Sequence, residues 1–395
     1  MKKRVLFVNG HLNVGGVEKS LIDILKNFNF EKYEVDLILF EDLGNYYNEL
    51  PKEVNCRFID ITKTYGSTVK CLVQSIRNKD FFSFWLKIIL TISNKVNSKL
   101  FFLIKYLFKI SKKYDCAIAF RVGFCAEVVA HCVKADFKLV WWHHGECNYS
   151  EKTKFQMTDT FNYFDKIISV SVGCKKMIEN YFGNLNNKVL VIPNMIDINE
   201  INKKANEFNP YESEKNNLKI VTVGRMSPEK DMLNIVYIAN HLLEQNYLNF
   251  KWHVIGNGVE FKKIQSEISN YGLNNFVILE GEKTNPYPYI KNADLLVHTS
   301  FVESQCLTVL EAFSLSVPCI VTESIGPKEF IINEINGILT GHNPKQIANE
   351  IISLINNDSI YYRIKKNTLT VIKKNYSPYK IINMIESLID DGRNS

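Results

Sequence analysis

The sequence predicts an α/β protein built from two doubly wound, Rossmann-like halves, and three observations carry that expectation. Short apolar runs, many of them β-branched, alternate with amphipathic stretches along nearly all of the 395 residues. The alternation starts afresh near residue 218. Between the two series, residues 192–217 (IPNMIDINEINKKANEFNPYESEKNN) are polar and carry Pro193 and Pro210. Short apolar runs flanked by helical patterns mark buried parallel strands joined by crossover helices. A chain of 395 residues also exceeds what one core ordinarily supports.

In chain order, strands are expected at RVLFVN (4–9), YEVDLILF (33–40), CRFIDI (56–61), CAIAF (116–120), KLVWW (138–142), KIISVSV (166–172) and KVLVI (188–192). After the first of these, Gly15 and Gly16 precede an amphipathic helix, where a glycine pair lets backbone approach a ligand at a helix N-terminus. The complete G-x-G-x-x-G and Walker patterns are missing, so neither a standard dinucleotide site nor a P-loop is expected. The polar stretch 196–217 reads as a hinge between domains 1–195 and 218–375. The second series places strands at LKIVTVG (218–224), FKWHVIG (250–256), NFVILEG (275–281), ADLLVHTS (293–300) and PCIVTE (318–323). Residues 376–395 supply a closing helix after Pro378, expected to pack back toward the N-terminal domain.

Residues 81–113 are rich in lysine and contain no acid. On one continuous helix, Lys87, Lys95, Lys99, Lys105, Lys109, Lys112 and Lys113 would share an arc of roughly 140°. Phe, Trp, Leu and Ile fill the other face. Two readings follow: a helix lying in an anionic membrane interface, or helices packed on the sheet with a solvated lysine stripe. A transmembrane span is not expected, because lysines interrupt every apolar stretch short of ~20 residues.

Formal charge is 48 − 42 = +6, a mild surplus that suits anionic ligands or a membrane surface and gives no case for nucleic acid. The nine cysteines form no C-x-x-C pair, which argues for reduced thiols and against a zinc site. The start MKKRVLFVNGH has too short an apolar run for an export signal, so a cytoplasmic protein is expected.

The segment FVESQCLTVLEAF (301–313) sets two carboxylates, Glu303 and Glu311, at either end of an otherwise apolar stretch. It lies where a strand gives way to a helix, at the carboxyl edge where open α/β sheets bind ligands. Amides near Leu307 and Thr308 would open that helix and favour phosphate. Glutamates that merely offset a helix dipole are the bland alternative. VGRMSPEKD (223–231) weighs against it, because one strand-to-helix loop there holds Arg225 and Lys230 beside Gly224. Two cations in such a loop suit a diphosphate.

The motifs NVGGVEKSL, IPNMID, GRMSPEKD and E-x7-E resemble those of the retaining glycosyltransferases of family 4, enzymes of the two-domain GT-B fold with a central cleft. The resemblance runs over nearly the whole chain and is strongest from 224 to 331. It implies a nucleotide-sugar donor, a UDP-sugar by default, and a saccharide or lipid-linked acceptor in bacterial surface-polysaccharide synthesis. A nucleotide-sugar epimerase or another GT-B enzyme, or a soluble-acceptor glycosyltransferase, is the alternative. By resemblance Glu311 holds the ribose, Glu303 the transferred sugar, and Arg225 and Lys230 the diphosphate. Amides from Ser304 through Gln305, Cys306 and Leu307 to Thr308 would line the donor site, and Gly16, beside Gly15, would lie against the donor phosphate. KLVWWHHGE matches the family's strand-then-histidine segment, which selects His143, with His144 as competitor, among the catalytic residues. Glu329 matches a recurrent Gly-x-x-Glu. One departure stands out: Cys306 replaces a family glycine. No Asp-x-Asp lies at a strand end, so the resemblance implies chemistry with no metal and no cofactor, a peripheral protein on the inner membrane face if 81–113 binds lipid, and no protein nucleophile.

Overall fold

The computed structural model describes residues 2–95, 98–108, 110–183, 185, 187–214 and 216–392. The chain divides into two compact units, the first formed by 1–143, 147–193 and 381–395, the second by 144–146 and 194–380.

The first unit is built on seven strands: β1 (Lys3–Asn9), β2 (Tyr33–Leu39), β3 (Val54–Phe58), β4 (Lys113–Ala119), β5 (Lys134–Trp142), β6 (Lys166–Ser169) and β7 (Val189–Val191). They lie in the order β3-β2-β1-β4-β5-β6-β7, every pair parallel. The second unit has six: β8 (Leu218–Val223), β9 (Phe250–Ile255), β10 (Val277–Gly281), β11 (Leu295–His298), β12 (Cys319–Thr322) and β13 (Ile338–Thr340). Their order is β10-β9-β8-β11-β12-β13, again all parallel. The central strands are buried on both faces, which is why Val5 to Val8 and Cys116 to Phe120 are apolar without alternation.

Each sheet reverses its strand order beside its first strand, at β1/β4 and at β8/β11. Loops leaving the carboxyl ends of two such strands diverge and open a crevice. In the second unit a buried polar relay fixes the three strands around that point. The Trp252 indole donates to the Thr222 hydroxyl at 3.0 Å, and that hydroxyl donates to the Val297 carbonyl at 2.6 Å. A buried tryptophan thereby finds the partner that its N–H requires.

Three departures from the sequence expectation have physical causes. The run 166–172 is cut short after Ser169, because the Ser171 side chain accepts from the Cys174 amide and caps the helix Val172–Phe182. The stretch 196–217 is not a bare linker. Asp197 caps the helix Ile198–Ala205, which buries Ile201 and Ala205 in the second unit. Strand β13 fell in no expected run, being only three residues long.

The lysine-rich segment is not one continuous helix. It comprises the helix Phe81–Lys95, a 3-10 run at Ser98–Tyr106 and the entry to β4. Lys87 donates to the carbonyls of Thr64 and Gly66, Lys112 pairs with Glu34 and Asp36, and Lys113 with Asp136. Lys105 stands over the rings of Phe102 and Tyr106. The side chains of Lys95, Lys99 and Lys109 lie outside the described residues. No helix among the described residues is long and apolar enough to cross a membrane.

The closing helix spans Pro378–Asp391, and from Ile381 onward it clusters with the first unit. There Asp390 pairs with Lys3 at 2.7 Å and with Lys32, and accepts from the Tyr33 hydroxyl at 3.1 Å.

Candidate active site

In the second unit, the loop after β8 carries Gly224, Arg225 and Lys230, and the loop after β11 carries Glu303 to Cys306. The two flank the point where strand order reverses. Pro228 opens a one-turn 3-10 helix ending at Lys230, and Asp231 closes it in the left-handed region. Ser227 adds a hydroxyl bond of 2.6 Å to Glu229. The turn is fastened to the neighbouring loop: Phe301 N–H donates to the Glu229 carbonyl, and the Thr299 hydroxyl to that of Lys230, both at 2.9 Å. The glycines of VIGNGVE serve backbone packing there, since a side chain at Gly256 would strike the Gly224 carbonyl at 1.8 Å.

Two donors converge on Glu303, whose side chain is 10% exposed. Lys230 Nζ lies 2.6 Å and His298 Nε2 2.7 Å from the same oxygen, Oε1. Burial alone would raise this carboxyl. The His298 hydrogen bond and charge, joined by Lys230, overrule burial and hold it at about 2. With Nε2 donating, His298 Nδ1 is left buried with no partner among the described residues.

Glu311 sits in the helix Leu307–Ser314 and accepts from the Tyr287 hydroxyl at 2.9 Å. The two carboxylates are therefore held by different parts of the unit, Glu303 by the β8 loop and Glu311 by the helix Tyr287–Lys291. The first amides of Leu307–Ser314, including Leu307 and Thr308, have no acceptor within the helix, as at any helix start.

The loop from Glu303 to Cys306 is held from several sides. The Gln305 carboxamide oxygen accepts from the Asn194 amide at 2.8 Å and from its Nδ2 at 2.7 Å, both residues being buried. The Gln305 side chain is thus committed to the fold, and only its backbone remains for a ligand. A Cβ at Gly326 would come within 2.7 Å of Gln305 backbone, and one at Gly145 within 2.8 Å of the Glu303 carbonyl carbon. Such contacts leave room for glycine alone.

Cys306 adopts φ 67° at the helix start. The left-handed region explains a family preference for glycine, and here a cysteine bears the strain. Burial, then the Glu303 charge, pushes its thiol well above the ordinary range. His298, Glu303 and Cys306 form the one group of three such side chains among the described residues close enough to share a metal ion, their ligand atoms lying within 4.8 Å. An ion there would have to displace the Lys230 ammonium and strip a proton from that thiol, so the group fits a metal poorly.

The remaining expected residues stand in the first unit. Gly15 precedes the helix Gly16–Asn27 at the β1/β4 reversal. Next to them Glu18 is buried, 3.0 Å from Arg121 and 3.6 Å from His11. His143 follows β5 with its ring 4.9 Å from that of Phe120, whereas His144 clusters with the second unit. Sequence reasoning passed over His298, Tyr287, Asn194 and Arg121. The one local signal was a histidine closing an apolar strand five residues before Glu303.

Two all-parallel α/β units of this topology are the architecture of the GT-B fold. Residues 202–371 match the family described as glycosyl transferases group 1. An uncharacterised glycosyltransferase from Methanocaldococcus jannaschii is 31% identical over 182 residues, 45% of this chain and 44% of the relative. The UDP-Gal:alpha-D-GlcNAc-diphosphoundecaprenol alpha-1,3-galactosyltransferase of Escherichia coli is 24% identical over 210 residues, 52% of this chain and 54% of the relative. The matches thus span about half the length of these relatives. The Anabaena protein HepE, crystallised with UDP, superposes with a TM-score of 0.73 at 18% identity, covering 99% of this chain and 100% of that one, which shows the fold.

Proposed function

We propose that the chain is a retaining, metal-independent glycosyltransferase of the family 4 type, moving a sugar from a UDP-sugar to a saccharide or lipid-linked acceptor in bacterial surface-polysaccharide synthesis. The observation that carries this reading is the Lys230–Glu303–His298 cluster at the β8/β11 reversal. It puts a cation, an obligate carboxylate and a helix start around one point, the set that a sugar diphosphate needs. The two relatives named above are glycosyltransferases by name. The Escherichia coli enzyme is named for a UDP donor and a diphosphoundecaprenol acceptor.

In this reading Arg225 and Lys230 neutralise the diphosphate, together with the amides opening Leu307–Ser314. Glu303 accepts from hydroxyls of the transferred sugar, since the bonds from Lys230 and His298 both fall on Oε1. Glu311 accepts from the ribose, steadied by Tyr287. As the bond from the anomeric carbon to the phosphate oxygen breaks, the acceptor oxygen bonds to that carbon from the same face. Its proton passes to the departing phosphate. No protein nucleophile takes part, and Cys306, held as a thiol, is unsuited to the role. The cations do what a divalent ion does in other transferases. A lipid-linked acceptor lies at a membrane surface, where the chain would work as a peripheral protein.

The test is incubation with labelled UDP-glucose, UDP-galactose and UDP-N-acetylglucosamine and a polyprenyl-diphosphate sugar. The reading expects one donor to label the lipid with retained anomeric configuration, in EDTA as well as without it. An inverted product, or labelling that requires manganese, contradicts it.

A further inference from the structure

The helix Thr68–Arg77 is turned the wrong way round for a soluble amphipathic helix. Cys71 and Ser75 face inward, while Val69, Val73 and Ile76 stand 74%, 45% and 64% exposed. They recur at the spacing that places residues on one helical face, one turn after another. The helix pairs antiparallel with Phe81–Lys95, as the 3.3 Å contact between the Thr68 and Thr91 hydroxyls fixes. That second helix adds Phe81 at 74% and Trp85 at 52% exposure. An outward apolar face on paired helices, reinforced by an exposed Trp and Phe, marks an interaction surface.

Charge identifies what it meets. From 62 to 92 the sequence holds Lys63, Lys70, Arg77, Lys79 and Lys87 against a single acid, Asp80. That is 5 − 1 = +4, and Asp80 is already engaged by Lys63 and Ser83. Lys70, Arg77 and Lys79 are exposed around the apolar face. A cationic rim around an aliphatic and aromatic face suits lipid headgroups above and acyl chains below. A protein partner would gain from the apolar residues and lose against the concentrated positive charge unless it were acidic throughout.

We propose that the outward face of the hairpin 68–92, led by Val69, Val73, Ile76, Phe81 and Trp85, docks the protein on an anionic lipid surface. The surface differs from the lysine stripe expected from sequence, whose described members mostly serve as intramolecular partners. It deepens the proposed function by locating the lipid side, but it stands on exposure and charge alone, so vesicle binding and UDP binding are read separately.

The test is flotation of the full chain with phosphatidylcholine vesicles, with and without phosphatidylglycerol. Variants are Val69→Asp with Ile76→Asp, and Lys70→Glu with Lys79→Glu, both pairs exposed enough to leave the core intact. Wild type is expected to float with phosphatidylglycerol vesicles only, less so in high salt, and each double variant to lose about tenfold or more in partition. UDP binding by calorimetry should be unchanged in both. The proposal is overturned if wild type ignores anionic vesicles at low salt, if it binds neutral ones equally, or if the variants float like wild type. A concentration-dependent dimer abolished by the aspartates would overturn it too, since the face would then join two copies of this chain.

Discussion

At Glu303 burial favours the neutral acid, and the charge persists only because Lys230 and His298 meet on one oxygen. The folded carboxyl lies near 2 against an ordinary 4.5, a depressed value, so its stabilisation is present above 4.5 and is lost as pH falls toward 2. A shift of that size corresponds to about 3 kcal/mol. His298→Ala should therefore flatten the loss of stability between those values, seen in urea titrations at pH 3 and pH 7. Transfer should fall about tenfold, with an acid limb moved upward. His298→Gln, which keeps a donor, should restore both, and equal loss in the two variants would make His298 a mere space-filler. Asp231 behaves in the opposite sense. Burial raises it from 3.8 to about 6, so folding is penalised as pH rises through that window. Asp231→Asn should raise the melting temperature more at pH 8 than at pH 5, and an equal gain would assign the effect to the left-handed backbone alone. At this scale the sequence was legible where chemistry is local. Arg225, Lys230, Glu303 and Glu311 fall within two short motifs. Asn194 and His298 act through tertiary contacts, to Gln305 and Glu303, that neither the IPNMID motif nor the position of a strand-end histidine spells out.

Elements explain how a loop stays fixed while carrying a charge. Glu303 to Cys306 is pinned by Asn194, packed by Gly326, and tied to the β8 turn through Glu229 and Lys230. Asn194→Ala would leave the Gln305 carboxamide buried with its main side-chain donor removed. A loss of roughly 1–3 kcal/mol in denaturant unfolding is expected. Weaker donor binding should accompany it, and unchanged stability would contradict the pinning. Strands were legible because both sheets are parallel and buried on both faces, which writes them as continuous apolar runs. Helix starts and the short helix Ile198–Ala205 were less so. A single capping serine or aspartate decides each, inside stretches that read as strand or linker. In the lysine segment, spacing left two readings open, one interfacial helix or helices packed on the sheet. Only tertiary contacts show that Lys112 and Lys113 belong to the mouth of a strand, paired with acids distant in sequence.

Across the whole molecule the two sheets share one rule, a reversal beside the first strand, and each reversal carries expected site residues: Gly15 and Gly16 in one, Arg225, Lys230 and Glu303 in the other. Two strand series broken by a polar stretch made that architecture readable, and the repeat of the pattern, more than any motif, foretold two units. The central claim is that the β8/β11 reversal binds a nucleoside diphosphate through Lys230 and Glu311. The most direct measurement is calorimetric titration of UDP into the wild-type chain, Lys230→Ala and Glu311→Ala, in EDTA. The account predicts one site in the wild type and affinity lower by roughly 1–3 kcal/mol in each variant, as for lost bonds to charged groups. Wild-type affinity in both variants, or no binding by the wild type under any of these conditions, would contradict it.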